Sequence, residues 1–303
     1  MKLGLAVSGG PDSLAMLVLG AAAMPGRIEA ATVDHGLRPE AAAEAAEVAQ
    51  ICQAFDIAHR MLPVAVAEGN VQAEARTARY AALADWLTDR GLAALATAHH
   101  ADDQAETMLL RLNRSSGVSG LAGVRARGTI PGGFAPLLRP LLGWRRAELG
   151  EVVRVAGLTP AQDSSNDDDR FDRVRLRKVL AGADWLDVPA LAASAAHLAD
   201  ADAAIDWAAR REWVEAVSRE GLGIRYRPQA PRAVALKVIA RIVRELGGEE
   251  PRGGSVARVF AALLAGQPAS IGSLVARATH SGWSFMPSPG RRAATKPEPP
   301  TSG

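Results

Sequence analysis

Residues 3–23 read LGLAVSGGPDSLAMLVLGAAA. A short apolar run, LGLAV (3–7), ends in SGGPDS (8–13), and SLAMLVLGAAA (13–23) follows with the spacing and length of a helix. The alternation continues. IEAATV (28–33) reads as a second strand ending at DHGLR, and PEAAAEAAEVAQICQAF (39–55) as an amphipathic helix with proline at its start. IAHRMLPVAV (57–66) reads as a third strand, and VQAEARTARYAALADWLTDRG (71–91) as a helix stopped by Gly91. LAALATA (92–98) reads as a fourth strand, followed by a helix over HHADDQAETMLLRL with acids in its first turn. Strands alternating with helices predict an α/β fold, a doubly wound and mainly parallel sheet. Ligands of such sheets bind outside the carboxyl ends of the strands. SGGPDS, DHGLR and TAHHADD all fall there, so three loops converge on one crevice.

Beyond residue 113 the pattern loosens into SSGVSGLAGV and GTIPGGFAP. RAELGEVVRVAG (146–157) predicts another helix, and DSSNDDDRFDRVRLRKVL (163–180) begins polar and turns into a basic helix. From about 186 the chain reads as alanine-rich helices, clearest at 189–220, 232–247 and 254–265. The expected organisation is a catalytic domain over 1–185, a small helical domain over 186–286 and a disordered tail over 287–303, where proline is frequent and apolar groups are scarce.

With 303 residues, 48% of them hydrophobic, the chain can bury a substantial core. The lone Cys52 excludes an internal disulfide and multi-cysteine metal clusters. No apolar run reaches the ~20 residues that span a bilayer. MKLGLAVSGG makes a poor signal peptide, so a soluble cytoplasmic protein is the simplest expectation. The net charge of +2 conceals a split. Residues 1–110 hold 7 basic and 14 acidic side chains, and the remainder is net +9. Its arginines suit phosphate groups, as in a nucleic acid, although a coding bias toward arginine gives the same count.

The chemistry concentrates in SGGPDS. Gly9 and Gly10 permit tight turns, and their N–H groups with those of the new helix form an anion site. Ser8 and Ser13 add hydroxyls, and Pro11 presets the helix start. No lysine follows the glycines, so this is not a Walker A loop. Such a loop is better suited to hold a leaving pyrophosphate than to transfer a terminal phosphoryl group. Asp12 within the loop and Asp102 at the acidic helix are candidate magnesium ligands. Asp103 and Glu106 share a helix face and can meet a metal or an amine, although acids in a first turn also complement the helix dipole. Asp34 and His35 follow the second strand, where a nucleotide, a metal or a simple turn would use them. His99 and His100, being adjacent, point apart and do not suit one zinc. Arg76 and Arg79 share a helix face and can reach RNA phosphates or a carboxylate, or form a solvated basic face; Arg111 and Arg114 carry the same alternatives. Arg173, Arg175 and Arg177 alternate in a basic run suited to RNA phosphates. Cys52 lies among Val48, Ile51 and Phe55 on an apolar helix face and is expected to be packing.

SGGPDS resembles the pyrophosphate loop of the adenine-nucleotide α-hydrolase-like, or PP-loop, enzymes. VDHGLR (33–38), ARTARY (75–80), TAHHADDQAET (97–107) and DSSNDDDRFDRVRLR (163–177) extend the resemblance to the tRNA(Ile)-lysidine synthase family in its short form, over about residues 1–180. The resemblance implies ATP and Mg²⁺ as cofactors, and free L-lysine and tRNA(Ile) with a CAU anticodon as partners, with room for a homodimer. It implies ligation of lysine to carbon 2 of the wobble cytidine through an adenylated tRNA, releasing AMP and pyrophosphate. On this reading Asp34, Asp103, Glu106 and Arg111 are catalytic, and Ser8, Gly9, Gly10, Pro11, Asp12, Ser13 and His35 hold the nucleotide. Arg76, Arg79, Arg114, Asn166, Arg173, Arg175 and Arg177 bind substrate. Two positions depart from the family's pattern. Ser115 stands where a glycine is frequent, and Val174 where an asparagine is frequent. The alternatives are another PP-loop adenylating synthetase, or a non-catalytic nucleotide- or RNA-binding module. PP-loop enzymes that thiolate tRNA need catalytic cysteines, and the crevice loops carry none.

Overall fold

The computed structural model describes residues 1–34, 41–64, 71–161, 172–248 and 250–288. It divides into two compact units, Met1–Ala199 and Asp200–Gly303.

The first unit alternates as expected: β1 (Leu3–Ala6), α1 (Pro11–Ala23), β2 (Ile28–Asp34), α2 (Ala41–Ala54), β3 (His59–Pro63), α3 (Val71–Arg90), β4 (Leu95–Ala96) and α4 (Ala101–Leu112). The stretch read as loose holds a short helix, α5 (Val118–Leu121), and two strands, β5 (Arg127–Thr129) and β6 (Pro136–Leu138). Then come α6 (Arg146–Val155) and α7 (Asp172–Ala181). The six strands run in the order β3-β2-β1-β4-β6-β5. All pairs are parallel except the β5–β6 edge. Strand order therefore reverses between β1 and β4, and such a reversal opens a crevice at the carboxyl edge.

Packing explains the register. Leu5 pairs with Ala30 on one side and Ala96 on the other. One face of the sheet buries Leu14, Leu17, Val48, Cys52, Leu149 and their neighbours from α1, α2 and α6. The other buries Tyr80, Leu83, Trp86 and Leu87 of α3. Gly4 is required there: a Cβ would lie 2.6 Å from Trp86 Cζ3. The buried Glu29 carboxylate on β2 is matched by Arg90 Nε at 2.8 Å and Lys2 Nζ at 3.1 Å.

The helix α8 (Val188–Ala216) crosses the division at residue 200, and the expected boundary near 185 lies in the loop before it. In the second unit the expected helices are present as the end of α8, α9 (Arg232–Gly247) and α10 (Gly253–Leu264), except that residues 217–220, read as the end of the first, form a strand. They pack with a five-stranded antiparallel sheet that the reading did not contain. Its strands are β7 (Val217–Glu220), β8 (Gly223–Tyr226), β9 (Ala269–Ile271), β10 (Leu274–Thr279) and β11 (Gly282–Pro287). Val238, Ile239, Ile242, Val259, Leu263 and Phe285 form its core. Trp283 stands edge-on to both Tyr226 and Phe260, at 5.9 and 5.5 Å. Pro287, assigned above to the tail, still pairs with Leu274, while 289–303 lie outside the described residues.

Candidate active site at the β1–β4 crossover

The loop after β1 is braced from within. Gly9 has φ +85°, a conformation that favours glycine, and its carbonyl accepts the Ala161 N–H at 3.0 Å. Ser13 Oγ accepts the Ser8 N–H at 3.1 Å, lies 3.3 Å from Ser8 Oγ and donates to the Gly10 carbonyl at 2.9 Å. Gly10 caps α1 with Pro11 following, so the first-turn N–H groups of α1 are free to face an anion.

Opposite stands the start of α4. Its capping residue His100 donates its backbone N–H to Asp103 Oδ2 at 3.0 Å. The His100 ring is buried and lies among three carboxylates: Nε2 is 3.4 Å from Asp12 Oδ2 and 3.6 Å from Asp103 Oδ2, and Nδ1 is 3.5 Å from Asp102 Oδ2. Burial opposes its charge, but the carboxylates of Asp102, Asp12 and Asp103 outweigh burial and raise its pKa to about 9. Asp102 is oriented further by Arg145, with Nη2 at 3.2 Å from Oδ1, and by the Arg146 N–H at 2.8 Å from Oδ2. Burial opposes the Asp102 charge too, yet His100 and Arg145 hold its pKa well below the usual carboxylate range. Glu106, one turn further along α4, is buried and bound by Arg177 of α7, Nε to Oε1 at 2.8 Å.

A cationic group lies beside this acidic wall. His99 points the other way, with Nδ1 3.0 Å from Thr97 Oγ1. Burial lowers its pKa to about 4, aided by Arg139, Arg76 and Arg79 and opposed by Asp103. The Arg76 guanidinium stacks over the Tyr80 ring at 5.0 Å. Arg139 follows β6 and holds the Arg125 carbonyl at 2.7 Å.

The structure thus brings Ser8–Ser13, Asp102, Asp103, Glu106 and Arg177 together, with Arg76 and Arg79 nearby. Asp34 ends β2 at the same carboxyl edge, its carbonyl accepting the Val64 N–H at 2.8 Å. Arg111 lies exposed in the last turn of α4, about 12 Å along the helix from Asp103. Arg114 pairs with Asp172 at 2.9 Å, and Arg175 pairs with the same carboxylate, both in exposed positions. His35 and Asn166 fall outside the described residues, as does the Arg173 side chain. The sequence marks the adjacent His99 and His100 at the start of the acidic helix, and the structure turns them apart as expected, His100 toward Asp12 and His99 toward Thr97. It does not single out Arg139 or Arg145, which lie outside every motif read there.

The residues present fit a nucleotide's phosphates and their metal. Asp12 Oδ1 is buried without a hydrogen-bond partner and is the open carboxylate oxygen at the loop, whereas Asp102 uses both oxygens on Arg145 and Arg146. Among the described residues no group of three or more His, Cys, Asp or Glu is arranged to hold a metal by itself. A magnesium here would therefore take its other ligands from phosphate and water.

A crossover crevice with a glycine loop and no Walker lysine defines a PP-loop fold, and the PP-loop domain family matches residues 1–183. A U34-tRNA thiolase from Methanococcus maripaludis shares the fold, with a TM-score of 0.52 and 16% identity over 65% of this chain and 70% of that one. The tRNA(Ile)-lysidine synthase of Novosphingobium aromaticivorans is 50% identical over 297 residues, 97% of this chain and 91% of that protein. That of Zymomonas mobilis is 39% identical over 97% and 90% of the two chains. The chain belongs to the tRNA(Ile)-lysidine synthase family.

Proposed function

We propose that the chain joins free L-lysine to carbon 2 of the wobble cytidine of tRNA(Ile) with a CAU anticodon, at the expense of ATP. The observation that carries this reading is the juxtaposition of an anion-binding loop and a buried carboxylate wall across one crevice. Loop N–H groups at Gly9, Gly10 and the start of α1 receive the β- and γ-phosphates, and the preorganised dipoles stabilise the pyrophosphate as it leaves. The cytidine O2 forms the new bond to the α-phosphorus as the bond to pyrophosphate breaks. The lysine amine then displaces AMP from carbon 2. Asp12, with its open Oδ1, would hold a magnesium ion, which would supply charge compensation at the phosphates when bound. Asp102 keeps His100 and Arg145 in place. Asp103 and Glu106 receive the lysine ammonium, which must lose a proton to attack, its reference pKa being ~10.4.

Arg76 and Arg79, with Arg139 behind them, serve an anion: the lysine carboxylate or an RNA phosphate. Asp34 and Arg111 are proposed contacts of the nucleotide and the RNA. Arg114 and Arg175, both solvent-facing, suit RNA phosphates. The wobble base enters splayed from its loop, the usual mode for single-stranded RNA.

The test is tRNA incubated with ATP and lysine. Mass spectrometry is expected to show the lysine adduct on one cytidine, with AMP and pyrophosphate formed in equal amounts. Accumulation of ADP would overturn the reading.

A further inference from the structure

Glu106 is 97% buried at its side chain, yet both its oxygens face one guanidinium: Arg177 Nε lies 2.8 Å from Oε1 and Nη2 3.4 Å from Oε2. Arg177 also stands in the field of Asp103 and Asp12, so it is the chain's own cation against the wall assigned above to the lysine ammonium. A carboxylate held edge-on by a guanidinium fork has the lone pairs of that edge committed. A second cation can take the same edge only if the first withdraws. Arg177 is free to do so. Its side chain is about one third exposed, and α7 has a second contact with this region through the exposed Arg114–Asp172 pair, which joins it to the turn after α4.

We propose that Arg177 is a stand-in for the substrate amine: it keeps Glu106 charged and aimed while the crevice is empty, and lysine binds by displacing it. The inference rests on Glu106 being an amine contact. An internal competitor weakens apparent affinity by the fraction of time the site is free. Arg177 therefore sets a lysine threshold. Bare guanidinium, having the same fork, is the small ion that mimics it.

The test uses the full-length enzyme at saturating tRNA and ATP with lysine varied. R177A and R177Q are expected to lower KM for lysine by about 5- to 10-fold, as for a site free roughly 10–20% of the time. R177K, which retains a cation, is expected to stay near the wild-type KM. Millimolar guanidinium is expected to inhibit R177A competitively against lysine, and the wild type with an inhibition constant about 5- to 10-fold higher. Phenylglyoxal labelling of Arg177 in the unaltered enzyme, read by peptide mass spectrometry, is expected to accelerate when lysine is added. A lysine KM that rises or stays constant in both R177A and R177Q, or slower Arg177 labelling with lysine, overturns the proposal. Wild-type adenylation of tRNA without lysine is measured alongside. Its absence would count against the ligase reading itself, separately from Arg177.

Discussion

His100 and Asp12 meet across the crevice, Nε2 to Oδ2 at 3.4 Å, linking the acidic helix to the phosphate loop. The carboxylates that overcome burial raise the His100 pKa from 6.5 to about 9, so the charged ring stabilises the fold. The contribution is complete below pH 6.5 and disappears as pH rises through 9. Urea unfolding of the metal-free protein is expected to show His100→Gln destabilised near pH 6. The gap to wild type should narrow by on the order of 2–3 kcal/mol by pH 9.5. A gap independent of pH would contradict the charged assignment.

Ser115, the departure from the family's glycine, has φ +53° just after α4. Left-handed backbone costs an L-residue about 1–2 kcal/mol, of which glycine's greater unfolded-state entropy returns part. Ser115→Gly is expected to stabilise the protein by about 0.5–1 kcal/mol, seen as a melting temperature higher by about 1–3 °C.

The Ser13 hydroxyl accepts from Ser8 N–H and donates to the Gly10 carbonyl, so it braces the loop that the phosphates would occupy. Ser13→Ala is expected to lower kcat/KM for ATP on the order of 10²-fold, comparable to losing one preorganised donor group. Thermal stability should change far less. Undiminished turnover would remove the loop from the chemistry.

Cys52 is wholly buried in the α2 layer, and burial pushes its thiol pKa up to about 11. Cys52→Ala is expected to retain lysine ligation while losing about 1 kcal/mol of stability. Iodoacetamide should label the folded protein very slowly. Loss of ligation in a folded variant would point to sulfur chemistry.

The α/β half was legible because its helices are long and periodic and three of its strands run into loops bearing glycine, aspartate or histidine: SGGPDS, DHGLR and TAHHADD. The strands β5 and β6 were not. RGT is exposed at all three residues and PLL is bounded by prolines, so neither shows alternation. Missing β6 meant missing Arg139 just beyond it, and Arg145 after the next turn. In the second unit, β7 and β8 lie between long helices and β9 to β11 follow the last one, and at three to six residues each they are hidden in the same way. The basic run at 173–177 was read as one RNA surface. Burial separates its members: Arg177 reaches Glu106, and Arg175 stays with Asp172 outside. Those distinctions depend on contacts between α4 and α7, which local spacing does not encode.

Within the DDQ stretch, Gln104 does something other than chemistry. Its amide donates to the Val124 carbonyl at 2.8 Å and accepts the Val124 N–H at 2.6 Å, as a neighbouring strand would. Gly123 beside it has φ +61°, and a Cβ there would come within 2.4 Å of Gln104 Oε1. The two positions are one heritable unit. A lineage cannot enlarge residue 123 while the glutamine remains, nor shorten the glutamine without stranding Val124. Any homologue that has changed one is therefore expected to have changed the other, and a recombination breakpoint between them would yield chimeras that fail at this clamp.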